Sequence, residues 1–329
     1  MTDTVRCKLC PSECVLGPGQ RGDCRSRINL KGKLVTLVYG KPVSANPYDP
    51  VEKKPLYHFL PGTKVFSLAT AGCNLHCKFC QNYEISQLNP DDAPPDRVYD
   101  LPPEKLVAAA RRYNCRSIAY TYSEPITFFE YTVDSQALAK DAGMRNILVT
   151  AGYINQGPLR ELCENADAAN VDLKAFTEDY YRDVCGGSLQ PVLDTLVTMV
   201  KEGVWVEVTN LVVPTLNDDI DKIKEMCGWM AENLGPDTPL HFSRFSPRYK
   251  LLHLPPTPAD FLAEARETAK AEGLHHVYVG NVHVPTGGDT FCPSCKKTVI
   301  RRKGYVIQEY NLDGDKCGNC GQKIAGVWK

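Results

Sequence analysis

No apolar run in this chain of 329 residues approaches the ~20 residues needed to cross a bilayer. The polar start, Met1–Arg6, carries no apolar signal-peptide core. Excess charge is lacking too: 38 Lys and Arg against 39 Asp and Glu leave a formal net charge of -1. That balance argues against a strongly basic face for nucleic acid or for an anionic membrane. The expectation is a cytoplasmic protein with no membrane attachment and no nucleic-acid partner.

Cysteine, by contrast, is abundant. Fifteen cysteines in a cytoplasmic chain point to metal or redox chemistry rather than to disulfides. Eleven of them fall into three groups: Cys7, Cys10, Cys14 and Cys24; Cys73, Cys77 and Cys80; and Cys292, Cys295, Cys317 and Cys320. Cys115, Cys163, Cys185 and Cys227 lie apart in apparent helices and loops and read as small buried hydrophobes.

The groups divide the chain into a cysteine-rich N-terminal cap (1–60), a central domain (61–285) and a C-terminal module (286–329). Short apolar pieces such as Leu34–Tyr39 predict a strand-rich cap. From Val65 onward, strands and helices alternate. Strands are predicted at Val65–Ala69, Ser117–Tyr122, Asn146–Thr150, Ala169–Leu173, Val204–Val213, Leu240–Phe245 and His276–Val279. Helices are predicted at Glu104–Tyr113, Ile126–Ala142, Pro158–Asn165, Pro191–Glu202, Asp219–Leu234 and Pro258–Glu272, with a shorter one at Glu178–Val184. Asn217 or Asp218 is expected to cap the helix at 219. About six strand–helix units plus a final strand predict an α/β fold, a partial (β/α)6-type barrel, in preference to a doubly wound open sheet. The chemistry-bearing segments recur just after strands, where barrel proteins collect their functional groups.

After the first predicted strand comes Cys73-Asn74-Leu75-His76-Cys77-Lys78-Phe79-Cys80, a C-x3-C-x2-C spacing. Three thiolates are one short of closing a four-iron cluster, so one iron would stay open for chemistry. A zinc knuckle with His76 as fourth ligand is the plainer alternative. After later strands come Ser123-Glu124-Pro125, Thr150-Ala151-Gly152-Tyr153, Asp172-Leu173-Lys174, Asn210 and His241. Ser123 and Glu124 equally suit a helix start, with Ser123 as cap. Asp172 and Lys174 flank Leu173 and so point the same way on a strand. Arg244 and Arg248 suit either a substrate anion or plain surface.

The cysteine motif, with Phe79 as its aromatic, resembles the signature of the radical S-adenosylmethionine (SAM) enzymes. Cys73–Asn82, Tyr120–Pro125, Asp172–Lys174, Gly280-Asn281, Cys292-Pro293-Ser294-Cys295 and Ile324–Trp328 resemble the AmmeMemoRadiSam-system radical SAM enzymes, which are similar to the pyruvate formate-lyase activating enzymes. The resemblance implies the partial radical SAM barrel. It implies that Cys73, Cys77 and Cys80 hold a [4Fe-4S] cluster whose open iron takes the amino and carboxylate groups of SAM. Reductive cleavage of SAM then gives a 5′-deoxyadenosyl radical that takes a hydrogen atom from the substrate. Phe79, Ser123, Glu124, Asp172, Lys174, Asn210 and His241 are the implied cofactor contacts. Ser123 and Glu124 match only the end of the Gly-Gly-Glu-Pro-like segment of the activating enzymes. An electron donor such as flavodoxin or ferredoxin is implied, and a partner protein is one candidate substrate. The alternatives are a glycyl-radical enzyme activase and a non-enzymatic, multi-metal zinc-ribbon adaptor for nucleic acid. The basic stretch Lys296, Lys297, Arg301, Arg302 and Lys303 motivates the adaptor.

The paired C-x2-C knuckles at 292–295 and 317–320, separated by 21 residues, predict a structural zinc ribbon or rubredoxin-like site. The N-terminal C-x2-C-x3-C-x9-C closes either a zinc site or a second iron–sulfur cluster. Gly17, Gly19 and Gly22 suit a compact turn and favour zinc there.

Overall fold

The computed structural model describes residues 3–329. Its centre is an eight-stranded sheet in which chain order is spatial order. Seven strands run parallel: Lys64–Ala69, Ser117–Tyr120, Arg145–Thr150, Ala168–Asp172, Trp205–Val212, Leu240–Arg244 and Val277–Gly280. Buried side chains occupy nearly every position of Ser117–Tyr120 and Ala168–Val171, as expected of strands covered on both faces. The helices Pro103–Arg112, Phe129–Asp141, Gln156–Cys163, Gln190–Lys201, Ile220–Asn233 and Ala259–Ala271 follow the first six parallel strands in turn. The fold is therefore six β/α units plus a closing strand, and the sheet does not join into a full ring.

Three local differences from the sequence reading have clear causes. The segment Ser44–Pro50, assigned to the cap, pairs antiparallel with Lys64–Ala69 as the edge strand of the main sheet. It contains Pro47 and Pro50, which hid it, because proline is tolerated at a sheet edge but argues against a strand in a pattern search. The helix Ile220–Asn233 is capped by Asp219, whose carboxylate accepts from the Asp221 and Lys222 amides, and not by Asn217 or Asp218. Asn217 instead ties down the preceding loop, accepting from the Val213 amide and donating to the Lys174 carbonyl. The predicted helix Glu178–Val184 is one turn at Glu178–Tyr180 that continues as a π-helix, Tyr181–Cys185.

The main core fills the space between sheet and helices. A smaller cluster plugs the end of the barrel where the strands start. There Val51, Leu56, Phe59 and Leu60 pack on Val65, Ala119, Ile147 and Ala168. Each plug side chain is almost wholly buried, which contributes about 1.5–3 kcal/mol apiece. With that end sealed, the ends where the strands finish remain open to ligands.

The C-terminal module pairs Thr290–Phe291, Thr298–Lys303 and Val306–Tyr310 as a three-stranded sheet, with a hairpin at Leu312–Asp313 and Lys316–Cys317. Its tail docks on the plug: the Leu60 amide donates to Val327 O at 2.7 Å, and the Val327 amide to His58 O at 2.7 Å. His58 Nδ1 donates to Ala325 O at 2.7 Å. Gly326 permits this close approach, since a Cβ there would lie 2.8 Å from the His58 carbonyl oxygen.

Candidate active site

A cavity of about 980 Å³ occupies the open end of the barrel. Its wall begins in the loop after Lys64–Ala69, where Cys73, Cys77 and Cys80 all face it. The loop is held by its backbone. The His76 amide donates to Cys185 O and the Lys78 amide to Val184 O, at 2.8 and 2.9 Å. Both acceptors lie in the π-helix, a distortion that concentrates at functional sites. Asn74 donates to Tyr153 O and Asn82 to Tyr122 O, at 2.7 Å each, so the loop is also tied to the ends of the second and third parallel strands.

The three thiols have unequal environments. Burial pushes Cys73 well above the ordinary thiol value, with the Glu124 charge adding to it. Burial also raises Cys80, which contacts Ser86 Oγ at 3.3 Å. Cys77 is lowered, first by its hydrogen bond with Cys185 and then by the Lys174 charge. Cys185 was read from the sequence as a small buried hydrophobe; it is buried, but it touches a thiol of the motif. His76 turns away from the cavity, bonding Asp23 at 2.7 Å and Gln87 at 3.0 Å. It is no fourth ligand, and the zinc-knuckle reading loses its ligand set.

The next strand ends deliver the polar groups. Glu124, not Ser123, caps the short helix Pro125–Phe128 by accepting from the Ile126 amide. It also accepts from Thr150 Oγ1 at 2.6 Å and from the Ala151 amide at 2.8 Å. Burial raises its pKa to about 7 against those three donors. Ser123 Oγ lines the cavity and is buried with no partner, as an open binding position would be.

Lys174 Nζ donates to Asp172 at 2.9 Å and lies 5.7 Å from the centroid of the Phe79 ring. Burial disfavours the Lys174 ammonium, yet the charge of Asp172, with those of Cys77 and Cys185 as thiolates, overcomes it and holds its pKa well above the usual lysine value. His241 lines the cavity, donates from Nε2 to Glu207 at 2.7 Å, and packs against the Tyr57 and Tyr278 rings.

Asn210 is a correction. Thr209 and Leu211 line the cavity, so strand alternation sends Asn210 to the helix side. Its amide donates to Leu173 O at 2.8 Å and lies 3.6 Å from the Met226 sulfur. Asn210 supports the wall and does not line the cavity. Arg244 bonds Thr257 O, and Arg248 lies over the Tyr83 ring; neither lines the cavity.

The opposite wall was not legible in the sequence. Lys53 and Tyr122 face the cavity and meet at Asp49, which also takes Lys54 Nζ at 2.7 Å. Lys54 is almost wholly buried, which lowers its pKa to about 8, while it lies 4.1 Å from the Tyr122 ring centroid. A Lys-Lys pair in a proline-rich cap gives no pattern that points to a site. Asn281, His283 and the hairpin Arg301–Tyr305 complete this wall. Arg301, Arg302 and Lys303 of the basic stretch thus border the cavity.

The four C-terminal thiols, Cys292, Cys295, Cys317 and Cys320, lie within 4.8 Å of one another. Cys292 and Cys320 are 3.6 Å apart, Cys295 and Cys317 3.8 Å. Tetrahedral zinc with Zn–S near 2.3 Å separates its sulfurs by roughly 3.8 Å, so these residues fit a single zinc-sized ion.

The sequence pattern of the radical SAM superfamily matches residues 67–227, the span holding the cysteine loop and the Glu124 and Asp172–Lys174 segments. The chain is 46% identical over 322 residues to an uncharacterized protein of Methanocaldococcus jannaschii, covering 97% of this chain and 95% of that one. It is 27% identical over 161 residues to a pyruvate formate-lyase-activating enzyme of Clostridium pasteurianum, covering 47% of this chain and 64% of that enzyme. Among solved structures, a radical SAM methyltransferase from Sphaerobacter thermophilus aligns with TM-score 0.52 at 16% identity, covering 68% of this chain and 67% of that one. Streptococcus suis SuiB bound to the precursor peptide SuiA aligns with TM-score 0.53 at 14% identity, covering 72% and 52%. At these identities the structural likenesses speak for the fold alone. A parallel partial barrel with three thiols in the loop after its first parallel strand defines the class, and residues 67–227 form a radical SAM superfamily domain.

Proposed function

We propose that this protein is a radical SAM enzyme that cleaves SAM reductively and abstracts a hydrogen atom from its substrate. The convergence of Cys73, Cys77 and Cys80 with buried Glu124 and Lys174 on one cavity carries the reading. The donor set fits a four-iron cluster with one open iron: three thiols, no fourth ligand from His76, and an unpartnered Ser123 hydroxyl beside them. When bound, cluster and SAM together supply a 5′-deoxyadenosyl radical.

The chain's own residues bind and orient. Cys73, Cys77 and Cys80 hold the cluster, and Cys185 supports the Cys77 sulfur. Glu124, ionised above its pKa of about 7, offers a carboxylate to an ammonium. Lys174, kept cationic by Asp172, offers charge to a carboxylate, and the exposed side of Asp172 remains free to accept from hydroxyls. His241, locked by Glu207, presents a fixed ring edge to a ribose or adenine. The barrel wall and the plug at the far end exclude water.

The C-terminal four thiols hold zinc in this reading. A protein such as flavodoxin or ferredoxin donates the electron, and the cytoplasm is the setting. The substrate class stays open between a small molecule and a partner protein.

The test is electron paramagnetic resonance of the anaerobically reduced protein with and without SAM. A cluster signal that changes on SAM addition, and is missing from a Cys77→Ala variant, supports the reading. A spectrum in which no signal responds to SAM contradicts it.

A further inference from the structure

Cys7, Cys10, Cys14 and Cys24 converge on one small void beneath the cysteine loop. We propose that these four thiolates hold a second [4Fe-4S] cluster, closed at all four irons, packed against the back of the loop that carries Cys73, Cys77 and Cys80. This reverses the preference for zinc that Gly17, Gly19 and Gly22 suggest.

The spacing of the sulfurs carries the assignment. A single tetrahedral zinc gathers its thiolates onto one ion, with sulfurs roughly 3.8 Å apart. The C-terminal foursome has that compactness, and among the described residues it is the one set of three or more ligating side chains drawn within 4.8 Å. The N-terminal foursome surrounds a void without closing to that distance. The loop triad Cys73, Cys77 and Cys80 does the same around the main cavity. In a four-iron cluster each thiolate sits on its own iron, so the sulfurs stand farther apart than around one ion. The N-terminal set therefore shares the open spacing of the triad and not that of the zinc-like knuckles.

The surroundings suit an anionic cluster. The Asp23 amide points to Cys14 Sγ at 3.5 Å, and a donor of this kind stabilises cluster sulfur; Ser26 Oγ lies 3.2 Å from Cys24 Sγ and 3.0 Å from Thr127 O, so its one proton is shared between them. Arg27 lines the void; its two Nη atoms pair with the Glu130 carboxylate, while its Nε is buried with no partner. The wall shared with the first site is one layer of backbone. A Cβ on Gly72 would lie 2.4 Å from Cys24 O, and Asn74, next to Cys73, lines the void itself. With four thiolates the second cluster has no open iron for SAM and serves to store an electron beside the first.

The experiment is iron, sulfide and zinc analysis of the anaerobically reconstituted full chain, for wild type and for the triple variant Cys73→Ala, Cys77→Ala, Cys80→Ala. About eight irons in wild type and about four irons with about four sulfides in the triple variant are expected. Negligible iron in the triple variant, whether with one zinc or two, overturns the proposal. Four irons in both proteins would uphold the second cluster and fail the first, so the two readings part cleanly. Should the triple variant not fold, Cys10→Ala with Cys14→Ala serves. The reduced wild type is expected to integrate to twice the spin of this variant, and only the signal retained in the variant should respond to SAM. Equal spin in both overturns the second cluster.

Discussion

Lys174 is a buried cation whose ammonium donates to Asp172. Lys174→Met keeps the stem and removes the charge. A single charge-assisted hydrogen bond contributes about 1.5–3 kcal/mol, so SAM affinity is expected to fall roughly tenfold to a hundredfold by calorimetry with the cluster loaded. Unchanged affinity would remove Lys174 from the ligand site. Glu124→Gln sets an amide group against one of its donors, Ala151 N–H or the Thr150 hydroxyl. A buried donor left unpaired costs about 1–3 kcal/mol, readable as a lower denaturant midpoint. The positions of these residues were legible because a motif after a strand reaches the barrel mouth. Asn210 was misread because only strand parity, set by its neighbours Thr209 and Leu211, decides which face a side chain takes. Lys53, Tyr122 and Asp49 were missed because they meet only in three dimensions.

At the scale of elements, the cysteine loop packs against the N-terminal cap, and Gly72 is where they touch. Its φ of +100° and the carbonyl of Cys24 leave no space for a side chain. Gly72→Ala is expected to cost more than about 2 kcal/mol, left-handed strain plus overpacking against backbone, and to lower iron loading. Gly143→Ala is the control: its φ is +73° and a Cβ there meets nothing within 4 Å, so about 1 kcal/mol of strain alone is expected. Equal losses in both would mean that the loop and the cap are not in contact as described. The strand and helix order was legible because each unit repeats a buried apolar run and a helix-period segment. The edge strand Ser44–Pro50 was not, since its prolines break the pattern that marks a strand. The π-helix has no sequence period of its own, so the Cys77–Cys185 contact stayed hidden.

The whole molecule is closed by the C-terminal module, and two neutral histidines lie at that joint. His58 and His276 are 4.4 Å apart, ring centre to ring centre. Burial depresses both; His276 falls to about 4. A histidine whose folded pKa lies below its unfolded 6.5 gives stability that is complete above 6.5 and is lost as pH falls toward the folded value. His276 alone is then worth roughly 3 kcal/mol between pH 7 and pH 4. Glu124 runs the other way: its raised pKa makes stability fall as pH rises from 4.5 to about 7. The readout is therefore the difference between wild type and His276→Leu in denaturant unfolding across that range. Relative to wild type, the variant should gain stability as pH falls; a constant difference would contradict a buried neutral ring. The central claim concerns chemistry at the open end of this closed body, and 5′-deoxyadenosine formation tests it most directly. Anaerobically reconstituted protein would be given SAM and dithionite, with and without cell extract, beside a Cys77→Ala control. Formation that requires Cys77 is the expected result. Absence of 5′-deoxyadenosine with or without extract, from protein with a filled cluster and bound SAM, would contradict the account.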